Sequence, residues 1–94
     1  MPQQDHYLIF TNDLDRSLQQ YYLNQLFPLC SNYVAIFVGK DDNYRFMIAS
    51  NNDSRELLNK LKSHFEIKGG GKANMVQGQI KGNQKTIQDI LENN

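Results

Sequence analysis

The chain has 94 residues, of which 39% are hydrophobic and 21% are charged, and its formal net charge is zero. This length supports one domain with a single modest core, and the composition is too apolar for a disordered chain. A net charge of zero excludes a histone-like protein that binds nucleic acid through its total charge alone. We expect one folded domain over residues 1–94, with its core at about residues 6–92, that forms a C-terminal fragment of a longer protein.

The sequence gives no sign of a membrane protein or a secreted protein. Cys30 is its single cysteine, which excludes an internal disulfide and does not indicate an oxidising compartment. There is no apolar run of 18 residues, and the N-terminal residues lack the basic region and long apolar core of a signal peptide. We expect a cytoplasmic protein that does not interact with a membrane.

A strand and an amphipathic helix are predicted in the first 28 residues. Residues 6–10, HYLIF, form a short aromatic and aliphatic run that is typical of a strand. Asn12 or Asp13 is suited to cap the helix that follows, which ends near Pro28. Apolar residues then recur mostly at spacings of three and four, which predicts one buried stripe. This stripe consists of Leu14, Leu18, Tyr21, Tyr22 and Leu26.

A β-hairpin is predicted next. Residues 33–38, YVAIFV, and residues 44–49, YRFMIA, are rich in β-branched and aromatic side chains, which favour strands. The five residues between them, GKDDN, have the composition of a turn. A connection of this length suits a hairpin, so we expect the two strands to pair in antiparallel orientation.

The second half of the chain is predicted to add two helices and one strand. Asn52 or Asp53 caps the first helix, Asn83 begins the terminal helix, and residues 75–80 between them are typical of a short strand. The buried residues are expected to be Leu57, Leu58, Leu61 and Phe65 in the first helix and Ile87, Ile90 and Leu91 in the second. The predicted order is β-α-β-β-α-β-α. It indicates an α/β fold, a single domain with a mixed β-sheet and helices packed on the sheet.

The positive charge is concentrated in one segment of the chain. Between residues 60 and 85 there are six basic residues and one acidic residue, a net charge of +5, whereas residues 1–59 have a net charge of −3. The basic residues are Lys60, Lys62, Lys68, Lys72, Lys81 and Lys85. A lysine cluster around a glycine motif is typical of an anion site, and solvated helix faces are the alternative that charge alone leaves open.

The sequence lacks the groups of residues that catalysis requires. Its two histidines, His6 and His64, belong to no HExxH motif, and there is no CxxC pair. No spacing places a nucleophile with a base, or two carboxylates as an acid and a base. We therefore predict no catalytic residue, no metal site and no cofactor.

Three consecutive glycines, Gly69–Gly71, lie in the motif KGGGKANMVQG. Ordering glycine costs more conformational entropy than ordering any other residue, so we predict a loop whose backbone N–H groups converge on an anion, with Lys72 adding a mobile charge. The alternative is a glycine cap that ends the preceding helix. The residues predicted to bind an anion or a nucleic acid are Lys68, Gly69, Gly70, Gly71, Lys72, Asn74, Gln77, Lys81 and Lys85.

The stretch GGGKANMVQG, with a strand and an amphipathic helix before it and a short helix after it, resembles the DHH-associated domain. This domain occurs in the C-terminal region of alanyl-tRNA synthetases and related editing proteins, and also in DHH phosphoesterases. The resemblance extends from about residue 6 to residue 91. The matching residues are Gly69, Gly70, Gly71, Lys72, Met75, Gln77 and Gly78, whereas Ala73, Asn74 and Gln79 replace the usual proline, aspartate and glycine.

The resemblance implies a noncatalytic, tRNA-binding accessory domain that assists aminoacylation or editing by other domains. In the phosphoesterase branch a histidine normally follows the glycines, and Lys72 at this position favours the synthetase branch. Lysine lacks the bidentate fork of the arginine that is usual there, so we expect a weaker contact. Two alternatives remain open: the substrate-binding lobe of a DHH-type phosphoesterase, and a homodimerisation module that uses aromatic side chains or an exposed sheet edge.

Overall fold

The computed structural model describes residues 4–51 and 53–92. The elements in chain order are strand β1 (Gln4–Thr11), helix α1 (Arg16–Leu26), a short 3-10 helix (Phe27–Leu29), strands β2 (Cys30–Lys40) and β3 (Asn43–Ser50), helix α2 (Ser54–Lys62), strands β4 (Glu66–Lys72) and β5 (Met75–Lys81), and helix α3 (Gln84–Glu92). The predicted α/β class, with a single domain and a mixed sheet that carries packed helices, is confirmed.

The five strands form one sheet in the order β1-β2-β3-β5-β4. β1 and β2 are parallel and are connected through α1, whereas the other neighbouring strands are antiparallel. The predicted hairpin of β2 and β3 is confirmed, with a turn of only two residues, Asp41 and Asp42. Their φ angles of 55° and 62° are typical of a type I′ turn, whose twist matches that of the flanking strands.

The prediction of a loop at Gly69–Gly71 is wrong, because these residues lie within β4 and add a strand to the predicted order. Gly69 is opposite Gly78 of β5, and Gly71 is opposite Val76. A Cβ atom at Gly71 would lie 2.4 Å from the backbone oxygen of Met75, so the two strands approach each other where side chains are missing. Glycine is depleted in strands, and for this reason the sequence pattern indicates a loop.

The sheet carries one helix on one face and two helices on the other. α1 covers a core that includes Leu23 of the helix and Ile36 and Met47 of the sheet. α2 and α3 cover the opposite core, where Phe37 and Phe46 are among the large side chains that are fully buried. The buried residues that were predicted for α2 and α3 all belong to this second core or pack against it.

The predicted start of the first helix is wrong, and its predicted buried stripe is confirmed only at Leu14 and Leu26, which pack against the core. α1 begins at Arg16, after Asp15 at the N-cap position, and not after Asn12 or Asp13. Leu18, Tyr21 and Tyr22 are exposed, whereas the fully buried residues of α1 are Gln19 and Leu23. The apolar pattern is misleading because a polar residue occupies the centre of the buried side.

The side chain of Gln19 is fully buried and is satisfied by three hydrogen bonds. Its Nε2 atom donates to the backbone oxygens of Ile36, at 2.8 Å, and Arg45, at 3.2 Å. Its Oε1 atom accepts a hydrogen bond from Nε of Arg45 at 2.9 Å. Buried polar groups are tolerated when they are hydrogen-bonded, so Gln19 fastens α1 to the centre of β2 and β3.

The predicted helix caps of the second half are largely confirmed. Asp53 caps α2 by accepting a hydrogen bond from the backbone N–H of Arg55 at 2.9 Å, and Asn83 accepts one from the N–H of Thr86 at 2.8 Å at the start of α3. The other proposed cap, Asn52, lies outside the described residues. Among helices in the described ranges, none has the length and apolar character needed to cross a membrane.

Both ends of the β4–β5 hairpin are tied to neighbouring elements. At the turn between the two strands, the carbonyl oxygen of Ala73 accepts a hydrogen bond from the N–H of Ser54, the first residue of α2, at 2.6 Å. At the opposite end, the N–H of Gly82 donates to the carbonyl oxygen of Asp42 in the β2–β3 turn at 2.9 Å. The hairpin is therefore held against the rest of the domain at two points.

Gln19→Ala should lower the free energy of unfolding by about 2–4 kcal/mol, because it leaves buried partners of the amide without hydrogen bonds. Urea unfolding followed by circular dichroism measures the change. Gln25→Ala is the matched control, since Gln25 is an exposed residue of the same helix and its replacement should change stability by no more than about 0.5 kcal/mol. Equal unfolding midpoints for the two variants would contradict the role given to the Gln19 amide.

Candidate nucleic-acid interface

The sheet face that carries α1 is covered only in part. α1 packs mainly against β2 and β3, so the same face of β5 and β4 remains exposed. Side chains alternate along a strand, and the strand register places opposed residues on the same face. We call this surface the open face; it consists of Gln77, Gln79 and Lys81 of β5 and Glu66, Lys68, Gly70 and Lys72 of β4.

The open face is rich in positive charge. Three lysines belong to it, and two smaller pockets that overlap it are lined in addition by Arg45, one of them also by Arg16. Glu66 is the carboxylate among the residues that line these pockets and the open face. The local excess of cations attracts an anion such as a phosphate group, although the net charge of the whole chain is zero.

A larger groove of about 530 Å³ lies between α1 and the β4–β5 hairpin. Its polar lining includes Gln20 and Asn24 of α1, Lys72 of β4, Asn74 of the turn and Gln77 of β5. Amide side chains both donate and accept hydrogen bonds, so the groove can contact sugar hydroxyl groups as well as phosphate oxygens.

The structure brings most of the predicted site residues together. Five of them, Lys68, Gly70, Lys72, Gln77 and Lys81, lie on the open face, and Asn74 lines the larger groove next to it. Gly71 also lines this groove, whereas Gly69 is not among the lining residues of the grooves at the open face. Lys85 lies on α3, which packs on the opposite side of the sheet.

The predicted cradle of converging backbone N–H groups at the three glycines is wrong. Gly69–Gly71 are extended and paired with β5, and successive N–H groups of a strand point in opposite directions. Any anion contact at this segment therefore depends on the flanking lysines and not on a glycine cradle.

Several residues at the interface were not predicted from the sequence. Gln79 could have been found, because polar residues alternate with apolar residues or glycine in VQGQIK, from Val76 to Lys81. Arg16, Gln20 and Asn24 recur every four residues along α1, which places them on one side of the helix. The sequence does not reveal that this side borders β5 and β4.

Comparison with solved structures shows the fold. The chain aligns with the crystal structure of the C-Ala domain from Aquifex aeolicus alanyl-tRNA synthetase with a TM-score of 0.71 and 18% sequence identity. The alignment covers 93% of this chain and 84% of that one. No protein-family model matches the chain, and no curated protein matches it significantly. The likeness establishes a shared fold, and membership in the DHH-associated family stays a prediction.

Gly71→Ala should destabilise the domain by about 1–3 kcal/mol, because the new methyl group collides with the backbone of β5. Gly70→Ala is the matched control, since a Cβ atom at Gly70 meets no other atom within 4 Å. Its effect should be no more than about 0.5 kcal/mol. Thermal and urea unfolding of both variants tests this difference, and equal stabilities would show that β4 and β5 do not approach each other as described.

Proposed function

We propose that this chain is a noncatalytic tRNA-binding domain of an alanyl-tRNA synthetase-related protein in the cytoplasm. Other domains of that protein carry out aminoacylation or editing. The observation that carries the proposal is the open face, where lysines and amide side chains are collected on the part of the sheet that α1 leaves uncovered. The fold of the C-Ala domain and the resemblance of the glycine motif to the synthetase branch support the same function.

Phosphate attraction is the main source of affinity in this proposal. Lys68 and Lys72 lie on the same face of the edge strand β4, four residues or roughly 13 Å apart, and they meet different phosphate groups of one RNA. Lys81 and Arg45 extend the positive surface across the sheet. Such contacts release counterions from the nucleic acid, so binding depends on salt and little on base sequence.

The composition of the open face favours folded RNA over a flexible single strand. Proteins that bind single strands stack the bases on aromatic side chains, but β4 and β5, EIKGGGK and MVQGQIK, contain no aromatic residue. Folded RNA is recognised through its shape, its phosphates and its 2′-hydroxyl groups, which suit lysine and amide side chains. The tethered β4–β5 hairpin presents these side chains on a preformed surface.

A salt titration of binding to a mixed tRNA pool tests the proposal most directly. We expect tRNA to bind more tightly than double-stranded DNA of similar length, with an affinity that falls steeply as salt increases. A small nucleotide is the third ligand to compare. Binding of the nucleotide without binding of tRNA would favour the substrate-binding lobe of a phosphoesterase.

Replacing both lysines of β4, Lys68→Gln with Lys72→Gln, should weaken tRNA binding about tenfold at low salt and reduce the salt slope by about 2. The matched control is Lys60→Gln with Lys62→Gln, which removes the same charge from α2 on the opposite side of the sheet. The control should bind tRNA nearly as well as the native chain. Equal losses in the two double variants would contradict an interface at the open face.

A homodimer is a second candidate with an observation of its own. Leu18, Tyr21 and Tyr22 are exposed on α1, where a second copy of the chain could cover them. Light scattering over a range of protein concentrations measures the association. A monomer at all concentrations would exclude the dimer and would be compatible with the RNA-binding function.

A further inference from the structure

One of the two smaller pockets that overlap the open face has a volume of about 270 Å³ and lies at the end of this face next to β3. Its polar lining consists of Asn43 and Arg45 of β3, Gln79 and Lys81 of β5, and Glu66 and Lys68 of β4. Three cations and one carboxylate thus share a small space, which leaves an excess of positive charge. This pocket is distinct from the larger groove that contains Lys72.

The strand register explains why these side chains meet. Gln79 is opposite Arg45 on one side and opposite Lys68 on the other, so the three residues form one row across the sheet. Cβ atoms of directly opposed residues lie about 4.5–5.5 Å apart, and the long side chains of arginine and lysine span such distances. The two cations can therefore contact one ligand above Gln79.

Arg45 lacks an anionic partner among residues 4–51 and 53–92. Its guanidinium donates from Nε to Oε1 of Gln19 and from Nη2 to the backbone oxygen of Leu14, and both acceptors are uncharged. No carboxylate of these residues forms an ion pair with it. An arginine has five N–H donors, so the contacts within this range leave three of them for a ligand.

The contacts of Arg45 hold its charge in place. Gln19 is fully buried and bonds to both the side chain and the backbone of Arg45, which fixes the guanidinium relative to the sheet. A fixed guanidinium loses little further freedom when it binds, and its planar fork matches the oxygens of a phosphate. Lys68 and Lys81, which are exposed, add mobile charges around it.

We propose that Arg45, Lys68, Lys81 and Gln79 form a subsite for a single phosphate group. When the phosphate belongs to an RNA, the subsite fixes the position of the RNA backbone along the open face. This part of the proposal rests on the RNA-binding function proposed above. A free nucleotide is the other source of the same chemistry. The pocket lies just below the range of about 300–1,000 Å³ that is typical of drug-sized ligands, which suits a phosphate with its adjoining sugar.

The first test is an NMR titration of the ¹⁵N-labelled chain with inorganic phosphate at constant ionic strength. We expect saturable shifts of the backbone amides of Arg45, Gln79 and Lys81 at phosphate concentrations on the order of 10 mM. Adenosine 5′-monophosphate should shift the same amides, whereas adenosine, which has no phosphate, should not. Shifts that do not saturate would mean diffuse attraction only and would overturn the subsite.

Variants separate the subsite from the general charge of the open face. Lys81→Gln should weaken phosphate binding about tenfold, because it removes one charge-assisted hydrogen bond. Lys72→Gln is the matched control: it lies in the other groove, and salt screens its charge beyond about 8 Å at physiological ionic strength. Equal weakening by the two substitutions would contradict a local site.

Arg45→Lys keeps the charge but removes the planar fork, so it should also weaken phosphate binding. Its thermal unfolding is recorded in parallel, because Gln19 loses a partner in this variant. If Arg45→Lys is folded and binds phosphate as the native chain does, the fixed guanidinium has no part in the subsite. Lys81→Gln remains an independent test, because the side chain of Lys81 is exposed and its loss does not alter the core.

Titration with tRNA distinguishes the failure of the subsite from the failure of the proposed function. Binding of tRNA without saturable binding of phosphate would overturn the subsite but would support the RNA-binding function. Saturable binding of phosphate and the nucleotide without binding of tRNA would support the subsite with a free nucleotide as its ligand, and would contradict the proposed function.

Discussion

The buried amide of Gln19 determines where α1 lies on the sheet. It bonds to the backbones of β2 and β3 and to the side chain of Arg45, so the helix is fastened over these two strands. With α1 in this position, most of that face of β5 and β4 is left uncovered by the described helices, and their lysines and amides are exposed. One polar side chain in the core thereby links the packing of the domain to the surface on which its proposed function depends.

The open face combines a fixed framework with adaptable side chains. The β4–β5 hairpin is held at its turn by the first residue of α2 and at its other end by the β2–β3 turn. Lysine and glutamine side chains on this framework can follow the shape of a folded RNA, while the backbone needs no rearrangement. Arg45, which is held by Gln19, differs from these residues because its charge is already oriented before a ligand arrives.

The sequence predicts the class of the fold, the β2–β3 hairpin and two of the three helices well, because their apolar periodicity and caps agree with the final packing. The sequence-based prediction fails at α1 because Gln19 occupies a core position that hydrophobicity cannot reveal. It fails at Gly69–Gly71 because the pairing of β4 with β5 overrides the low strand propensity of glycine. Lysines of the interface are evident from charge alone. The part of Arg45 in this interface is not evident from charge, because its place in one row with Gln79 and Lys68 depends on the nonlocal register of three strands.

Strand β4 lies at the edge of the sheet, and its glycines give it no bulky side chains to shield the unpaired backbone groups. Exposed edges of this kind pair readily with other chains and lead to aggregation, and lysines are a common defence because two like charges repel each other when edges meet. Lys68 and Lys72 occupy this edge. The lysines that we propose to contact a phosphate backbone therefore also disfavour edge-to-edge pairing of two copies, so a neutral edge would lower solubility as well as the proposed binding.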